Sequence, residues 1–218
     1  MKQIKLTILP LFILIVSVIS FSAKADLLTD EYQEGVSYQV IIPEQPTSSK
    51  EKIEIVGLFW YGCPHCHRFE PHIERWLESK ADYIEYVRLP AIFRPDWAIH
   101  SRAFYVAEAL DVVEDIHLPL FTAIHAHKRK LNTQAALAEF FEENGVDKKL
   151  FNKAFRSFGV EAKVRQSREM GRRYGLTGTP GIVINGKYRV DGNICKCGFS
   201  EMLKITDFLA NKENENRS

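Results

Sequence analysis

Residues 53–66 read Ile-Glu-Ile-Val-Gly-Leu-Phe-Trp-Tyr-Gly-Cys-Pro-His-Cys, and no other stretch of this chain restricts its fold so strongly. Ile53 to Tyr61 is a dense apolar and aromatic run, the pattern of a central strand covered on both faces. It leads straight into Cys63-Pro64-His65-Cys66, after which Phe69, Ile73, Trp76 and Leu77 recur at helical spacing. Pro64 fits the first helical turn, where its missing N–H costs nothing and its φ is already helical. Cys63 then stands at the helix N-terminus, where free N–H groups and the macrodipole favour a thiolate. Cys66, three residues on, is within disulfide reach but turned toward the protein. Cys63 is therefore expected to be the exposed sulfur that is attacked and Cys66 the buried, resolving one. His65 can donate to the Cys63 thiolate or carry a positive charge beside it. A stabilised thiolate stabilises the dithiol and makes the disulfide a stronger oxidant. C-x-x-C also serves as a structural disulfide or as half a zinc site; the strand-to-helix junction, the Pro and the His argue against both uses.

The rest of the chain supplies the frame. Met1 to Ala25 carries Lys2 and Lys5, runs uncharged from Leu6 to Ala23 and ends in Ala23-Lys24-Ala25. This is the form of a signal peptide cleaved before Asp26; an uncleaved anchor is disfavoured by Pro10 and the short apolar stretch. No cysteine lies near that point to take a lipid. The whole chain has 218 residues and a formal charge of +1; losing Lys2, Lys5 and Lys24 takes its 29 basic residues to 26 against 28 acidic, a charge of −2. Such a balance offers no basic field for nucleic acid. Export implies an oxidising compartment in which disulfides persist.

Val36 to Ile42 and Tyr83 to Leu89 alternate apolar and polar residues as strands do, and Pro43 to Lys52 is a polar connector. From Ala91 to Met170 the period becomes helical, with stripes at Ala103, Phe104, Ala107 and Leu110, at Leu137, Phe140 and Phe141, and at Phe151, Phe155 and Phe158. Eight of the 14 Phe residues fall between Phe93 and Phe158, which gives this segment an aromatic core of its own. Gly181 to Ile184 and Lys187 to Val190 flank Asn185-Gly186, the strongest short-range hairpin signal. Ser200 to Leu209 is amphipathic, and the charged tail after it is expected to fray. The order strand, strand, helix, strand, helical block, hairpin, helix is that of an α/β fold with an inserted subdomain.

GLFWYGCPHCHRFEP, with TGTPGIVINGKYRV downstream and the helical block between, resembles the DsbA family of periplasmic thiol:disulfide interchange proteins over nearly the whole mature chain. The resemblance implies a thioredoxin fold with an inserted all-helical subdomain. Residues 26–90 and 171–218 would form a discontinuous thioredoxin-like domain, and 91–170 the insertion. It implies a periplasmic monomer without cofactor that oxidises newly exported, cysteine-containing polypeptides through Cys63, Cys66, His65 and Pro64. A membrane quinone-linked oxidase of the DsbB type would restore its disulfide. It makes Thr179-Pro180 a cis-proline loop facing the disulfide, with the Thr179 backbone pairing with an extended substrate strand. Isomerase or reductant use of the same fold is the nearest rival, and a metal carrier using all four cysteines a more distant one. Many relatives carry an acidic residue six positions before the first active-site cysteine. Here that position is Gly57, so either water or another carboxylate such as Glu54 takes that role, or cysteine deprotonation is less assisted.

The second cysteine pair, Cys195-Lys196-Cys197, follows the hairpin. A local structural disulfide, an easily reduced redox relay and a share in a four-thiolate metal site are its three possible uses. The 128 residues between Cys66 and Cys195 match no zinc-ribbon spacing, so no metal is expected. His67, His72, His125 and His127 read as surface residues. Trp60 and Tyr61, just before the motif, suit either aromatic surface for unfolded substrates or, for Trp60, burial in the strand.

Overall fold

The computed structural model describes residues 31–217; the expected leader Met1–Ala25 and its cleavage point lie outside them. The strands are β1 (Gln39–Val40), β2 (Ile53–Phe59), β3 (Ile84–Pro90), β4 (Gly181–Ile184) and β5 (Tyr188–Asp191), in the order β1-β5-β4-β2-β3. β2 pairs in parallel with β3 and antiparallel with β4, β4 and β5 form the hairpin, and β1 closes the edge antiparallel to β5. Every residue of β2 is buried, as a strand covered on both faces requires. Its alternation sorts the cores. Ile53 and Ile55 face Ile73, Trp76, Met202 and Leu209, whereas Val56 and Leu58 face Tyr174, Leu176 and Val183.

Two helices cover the first face, α1 (Pro64–Ser79) from the cysteine motif and the C-terminal α8 (Phe199–Glu215). Between β3 and β4 come a 3₁₀ turn (Pro95–Trp97) and five helices, α2 (Ala98–Ala109), α3 (Val113–His125), α4 (Gln134–Glu143), α5 (Lys148–Phe155) and α6 (Phe158–Arg173). Their aromatic interior includes Phe104, Phe121, Phe141 and Phe151, and Cys63 and Cys66 belong to that same cluster. The thiols therefore lie on the seam between sheet and insertion. A short helix, α7 (Gly192–Cys195), capped by Asp191, links β5 to α8.

The tail departs from expectation. α8 stays helical to Glu215 because Glu213, 2% exposed, is held by Asn185 at 2.7 Å, Lys187 at 2.8 Å and Tyr188 at 3.1 Å. The Asn185–Gly186 turn has φ of 51° and 68°, the left-handed region these residues tolerate. Its Asn185 amide is bonded to Glu213, and its side-chain carbonyl accepts from Arg217 at 2.9 Å.

Candidate active site

Cys63 is the N-cap of α1, extended at φ −91° and ψ 115°, with Pro64 in the first turn behind it. Its sulfur accepts from the Cys66 N–H at 3.4 Å and, as a thiol, donates to the Thr179 carbonyl at 3.3 Å. Thr179–Pro180 is cis, and its loop stands across the sulfur from the helix. Cys63 and Cys66 are free thiols and both are buried, Cys66 at 2% exposed as expected and Cys63 at 8% where the sequence predicts an exposed sulfur, because the cis-proline loop covers it.

Their acidities diverge. The hydrogen bond from the Cys66 thiol, together with N–H groups at the helix start, outweighs burial and brings Cys63 down to about 5. Burial, followed by the neighbouring Cys63 sulfur, pushes Cys66 well above the ordinary thiol range. His65 contributes to Cys63 through its backbone N–H, while its side chain is exposed. That differs from the imidazole contact expected from sequence. With Thr179, Pro180, Asp191, Cys197 and Met202, His65 lines a groove of about 420 Å³ beside the thiol.

Residues 84–201 match the family of the DSBA-like thioredoxin domain. The thiol:disulfide interchange protein DsbA of Pseudomonas aeruginosa PAO1 is 40% identical over 184 residues, 84% of this chain and 87% of the relative. The protein of that name from Burkholderia cepacia is 37% identical, covering 84% and 86%. The crystal structure of Pseudomonas aeruginosa DsbA superposes with a TM-score of 0.82 at 39% identity, over 87% of this chain and 98% of that one. The chain belongs to the DsbA family. It is accordingly a thiol:disulfide oxidoreductase with a thioredoxin fold and a helical insertion.

Position 57, beneath the thiols, carries no side chain. A Cβ at Gly57 would collide with the phenol of Tyr86, whose ring carbon Cζ would lie only 2.7 Å away. The ring packs edge-on against Trp76, which limits its retreat on that side. Gly57→Ala is therefore expected to cost about 1–3 kcal/mol in urea unfolding, the usual penalty for overpacking a core. A cost near zero would show that Tyr86 moves freely.

Glu54 does not replace the missing acid, because its carboxylate accepts from Ser48 N–H at 2.8 Å and from the Ser48 hydroxyl, tying down the connector. The carboxylate in the right place is Glu70. It lines, with Cys66, Gly57 and Tyr86, a cavity with room for about one water molecule. Glu70 Oε1 lies 3.2 Å from His117 Nε2, Oε2 lies 3.5 Å from Arg88, and His117 Nδ1 is 2.8 Å from the Tyr61 hydroxyl. Burial raises the Glu70 carboxyl, but His117 and Arg88 outweigh it and hold the group below its ordinary range.

Two of the surface readings change as well, those of Tyr61 and His125, while Trp60 is half-buried. Tyr61 is fully buried and so presents no surface to a substrate. Trp60, just beyond β2, stacks flat on Trp97 at 4.1 Å and 3°. His125, half-buried, contacts the Tyr61 carbonyl through Nε2 at 2.8 Å and stacks on His67.

Cys195 and Cys197 are joined in a disulfide. So small a loop removes little chain entropy, about 1.6 kcal/mol against about 3 for a 15-residue loop. No group of three or more potential metal ligands occurs among the described residues.

The low Cys63 pKa carries a pH signature. Folding lowers it from 9.0, so its contribution to the dithiol form is complete above pH 9, shrinks as pH falls and is gone below about 5. The disulfide form lacks this group. In urea at neutral pH the dithiol form is expected to outlast the disulfide form by a margin that closes toward pH 5. A margin independent of pH would contradict the assignment of the thiolate to Cys63.

Proposed function

We propose that this chain is an exported disulfide donor whose Cys63–Cys66 bond is passed to newly translocated polypeptides. The observation that carries this reading is the placement of Cys63 as N-cap of α1, accepting from the Cys66 N–H and facing the cis Thr179–Pro180 loop, an arrangement that lowers the Cys63 pKa while burial raises that of Cys66. A substrate thiolate attacks Cys63 Sγ; the new S–S bond forms as the Cys63–Cys66 bond breaks, and the electron pair leaves on Cys66, which takes a proton. A second substrate thiolate then attacks the substrate sulfur of the mixed disulfide and expels Cys63 as a thiolate, a good leaving group at its depressed pKa. Pro64 starts the helix that stabilises that thiolate. His65 supplies an N–H to it and forms one wall of the groove. Thr179 and Pro180 hold the substrate backbone extended against it by strand-like pairing.

In this reading Met1–Ala25 is removed on export to the periplasm, and the mature chain works as a monomer without cofactor. Residues 26–90 and 171–218 form the thioredoxin-like domain and 91–170 the insertion that closes over the thiols. A quinone-linked membrane oxidase of the DsbB type restores the Cys63–Cys66 disulfide.

The reduction potential of the Cys63–Cys66 couple tests the proposal. Equilibration with glutathione is expected to give a value well above the roughly −270 mV of thioredoxin, because the thiolate stabilises the reduced form. A value at or below thioredoxin's would make the chain a reductant instead.

A further inference from the structure

The groove beside Cys63 has a second sulfur in its wall. His65, Thr179 and Pro180 line it on the active-site side, and Cys197 lines it beyond Asp191, near Met202. Under the proposed function this groove holds the substrate chain, so a polypeptide engaged at Cys63 also runs past the Cys195–Cys197 bond. That bond is half-exposed rather than buried in the core. Its small loop makes it a weak staple, so stability gives little reason to keep it.

The surroundings also suit exchange. Lys196, between the two sulfurs, is exposed and held left-handed at φ 50°. A cation in that position favours a thiolate on either side of it. Cys197 immediately precedes Gly198, the N-cap of the 17-residue α8, which has no side-chain cap at that end. Asp191, the acidic group in this wall, has its Oδ1 occupied by the N–H groups of Asn193 and Ile194 at 2.8 and 2.9 Å.

We propose that Cys197 is a second point of thiol–disulfide exchange in this groove, serving thiols of the same bound polypeptides. A substrate thiolate attacks Cys197 Sγ. The substrate–Cys197 bond forms, the Cys195–Cys197 bond breaks, and the electron pair leaves on Cys195. A second substrate thiolate attacks the substrate sulfur of that mixed disulfide and releases Cys197 as a thiolate. The substrate dithiol is oxidised, the Cys195–Cys197 disulfide is reduced, and the two substrate protons pass to Cys195 and Cys197. Each molecule then carries two disulfides to donate rather than one.

The inference rests on the groove being the substrate site, and single-turnover stoichiometry separates the two ideas. A reduced two-cysteine peptide is mixed in excess with fully oxidised protein, quenched in acid, and its disulfide counted per protein molecule by mass. Wild type is expected to oxidise two equivalents, a Cys63→Ser/Cys66→Ser variant one, and a Cys195→Ser/Cys197→Ser variant one. A quench early in the Cys63→Ser/Cys66→Ser reaction is expected to catch the peptide on Cys197. One equivalent from wild type and none from Cys63→Ser/Cys66→Ser overturns the proposal, and so does an adduct on Cys195. Because Cys63→Ser/Cys66→Ser keeps the second disulfide, this result does not depend on whether Cys195→Ser/Cys197→Ser folds. Loss of oxidation by a folded Cys195→Ser/Cys197→Ser protein would instead count against the proposed use of Cys63.

Discussion

Glu70→Ala is expected to destabilise the protein by about 3–5 kcal/mol, the cost of breaking a buried ion pair from one side. The carboxylate is 6% exposed, His117 5% and Arg88 13%; Arg88 keeps Glu74 at 2.5 Å and His117 keeps the Tyr61 hydroxyl at 2.8 Å, which sets the expectation at the lower end of that range. Three segments meet at this one side chain. Glu70 is on α1, Arg88 on β3 and His117 on α3 of the insertion, and His117 reaches on to Tyr61 beside the cysteine motif. Glu70→Gln keeps the shape and one hydrogen-bonding oxygen and is expected to lose less. The carboxyl is held below 4.5 in the folded protein, so its contribution is present above that pH and lost as the pH falls. The gap between wild type and Glu70→Ala should accordingly narrow in acid. Urea unfolding of the dithiol forms measures it, and a gap under about 0.5 kcal/mol, typical of surface substitutions, would remove the cluster from any structural role.

Exchanging the cysteines separately is expected to split the reaction. Cys63→Ala should transfer no disulfide through the active-site helix, because Cys66 is 2% exposed and its thiol is kept protonated by burial. Cys66→Ala should still react with an activated substrate disulfide, since Cys63 remains at the helix start with its N–H partners. It should then stall as a stable mixed disulfide, with no neighbouring thiol to reclaim Cys63. Mass mapping of the adduct decides the matter. Substrate on Cys66 in the Cys63→Ala protein, or release of the substrate from Cys63 in Cys66→Ala, would reverse the order assigned to the sulfurs.

Much of this architecture is legible in the sequence where the determinants are local. β2 announces itself by an unbroken apolar run, β4 and β5 by their Asn-Gly turn, and the start of α1 by a proline behind a cysteine. The lowered pKa of Cys63 follows largely from the same few residues, because a helix start is a local object, whereas Cys66 is pushed up by burial that distant segments supply. What escapes is whatever depends on distant segments meeting. Glu70 is one helical turn beyond Cys66, a spacing that places it on the same face and was open to reading. Its partner His117 is 47 residues further along, where nothing in the pattern of α3 sets it apart. His125 and Glu213 look like solvent residues by type, and each is defined by a contact across the fold, with the Tyr61 carbonyl and with the β4–β5 turn. Gly57 is a loss in sequence terms, yet in space it is the room that Tyr86 occupies. The connection between Cys197 and the active-site groove is of the same kind, since it exists only once the hairpin folds back beside the cis-proline loop.

The turn at Asn185–Gly186 bears on how the molecule ages. Asn-Gly is the dipeptide in which an asparagine side chain most readily cyclises onto the next backbone nitrogen, since glycine puts nothing in the way. Closing that ring requires the side-chain amide to rotate toward Gly186 and release ammonia. Here the amide nitrogen is held by Glu213 in the last turn of α8 and the oxygen by Arg217 just beyond it. The last turn of the C-terminal helix therefore acts as a chemical preservative for a hairpin far from it in sequence, and a chain trimmed before Glu213 would deamidate there first.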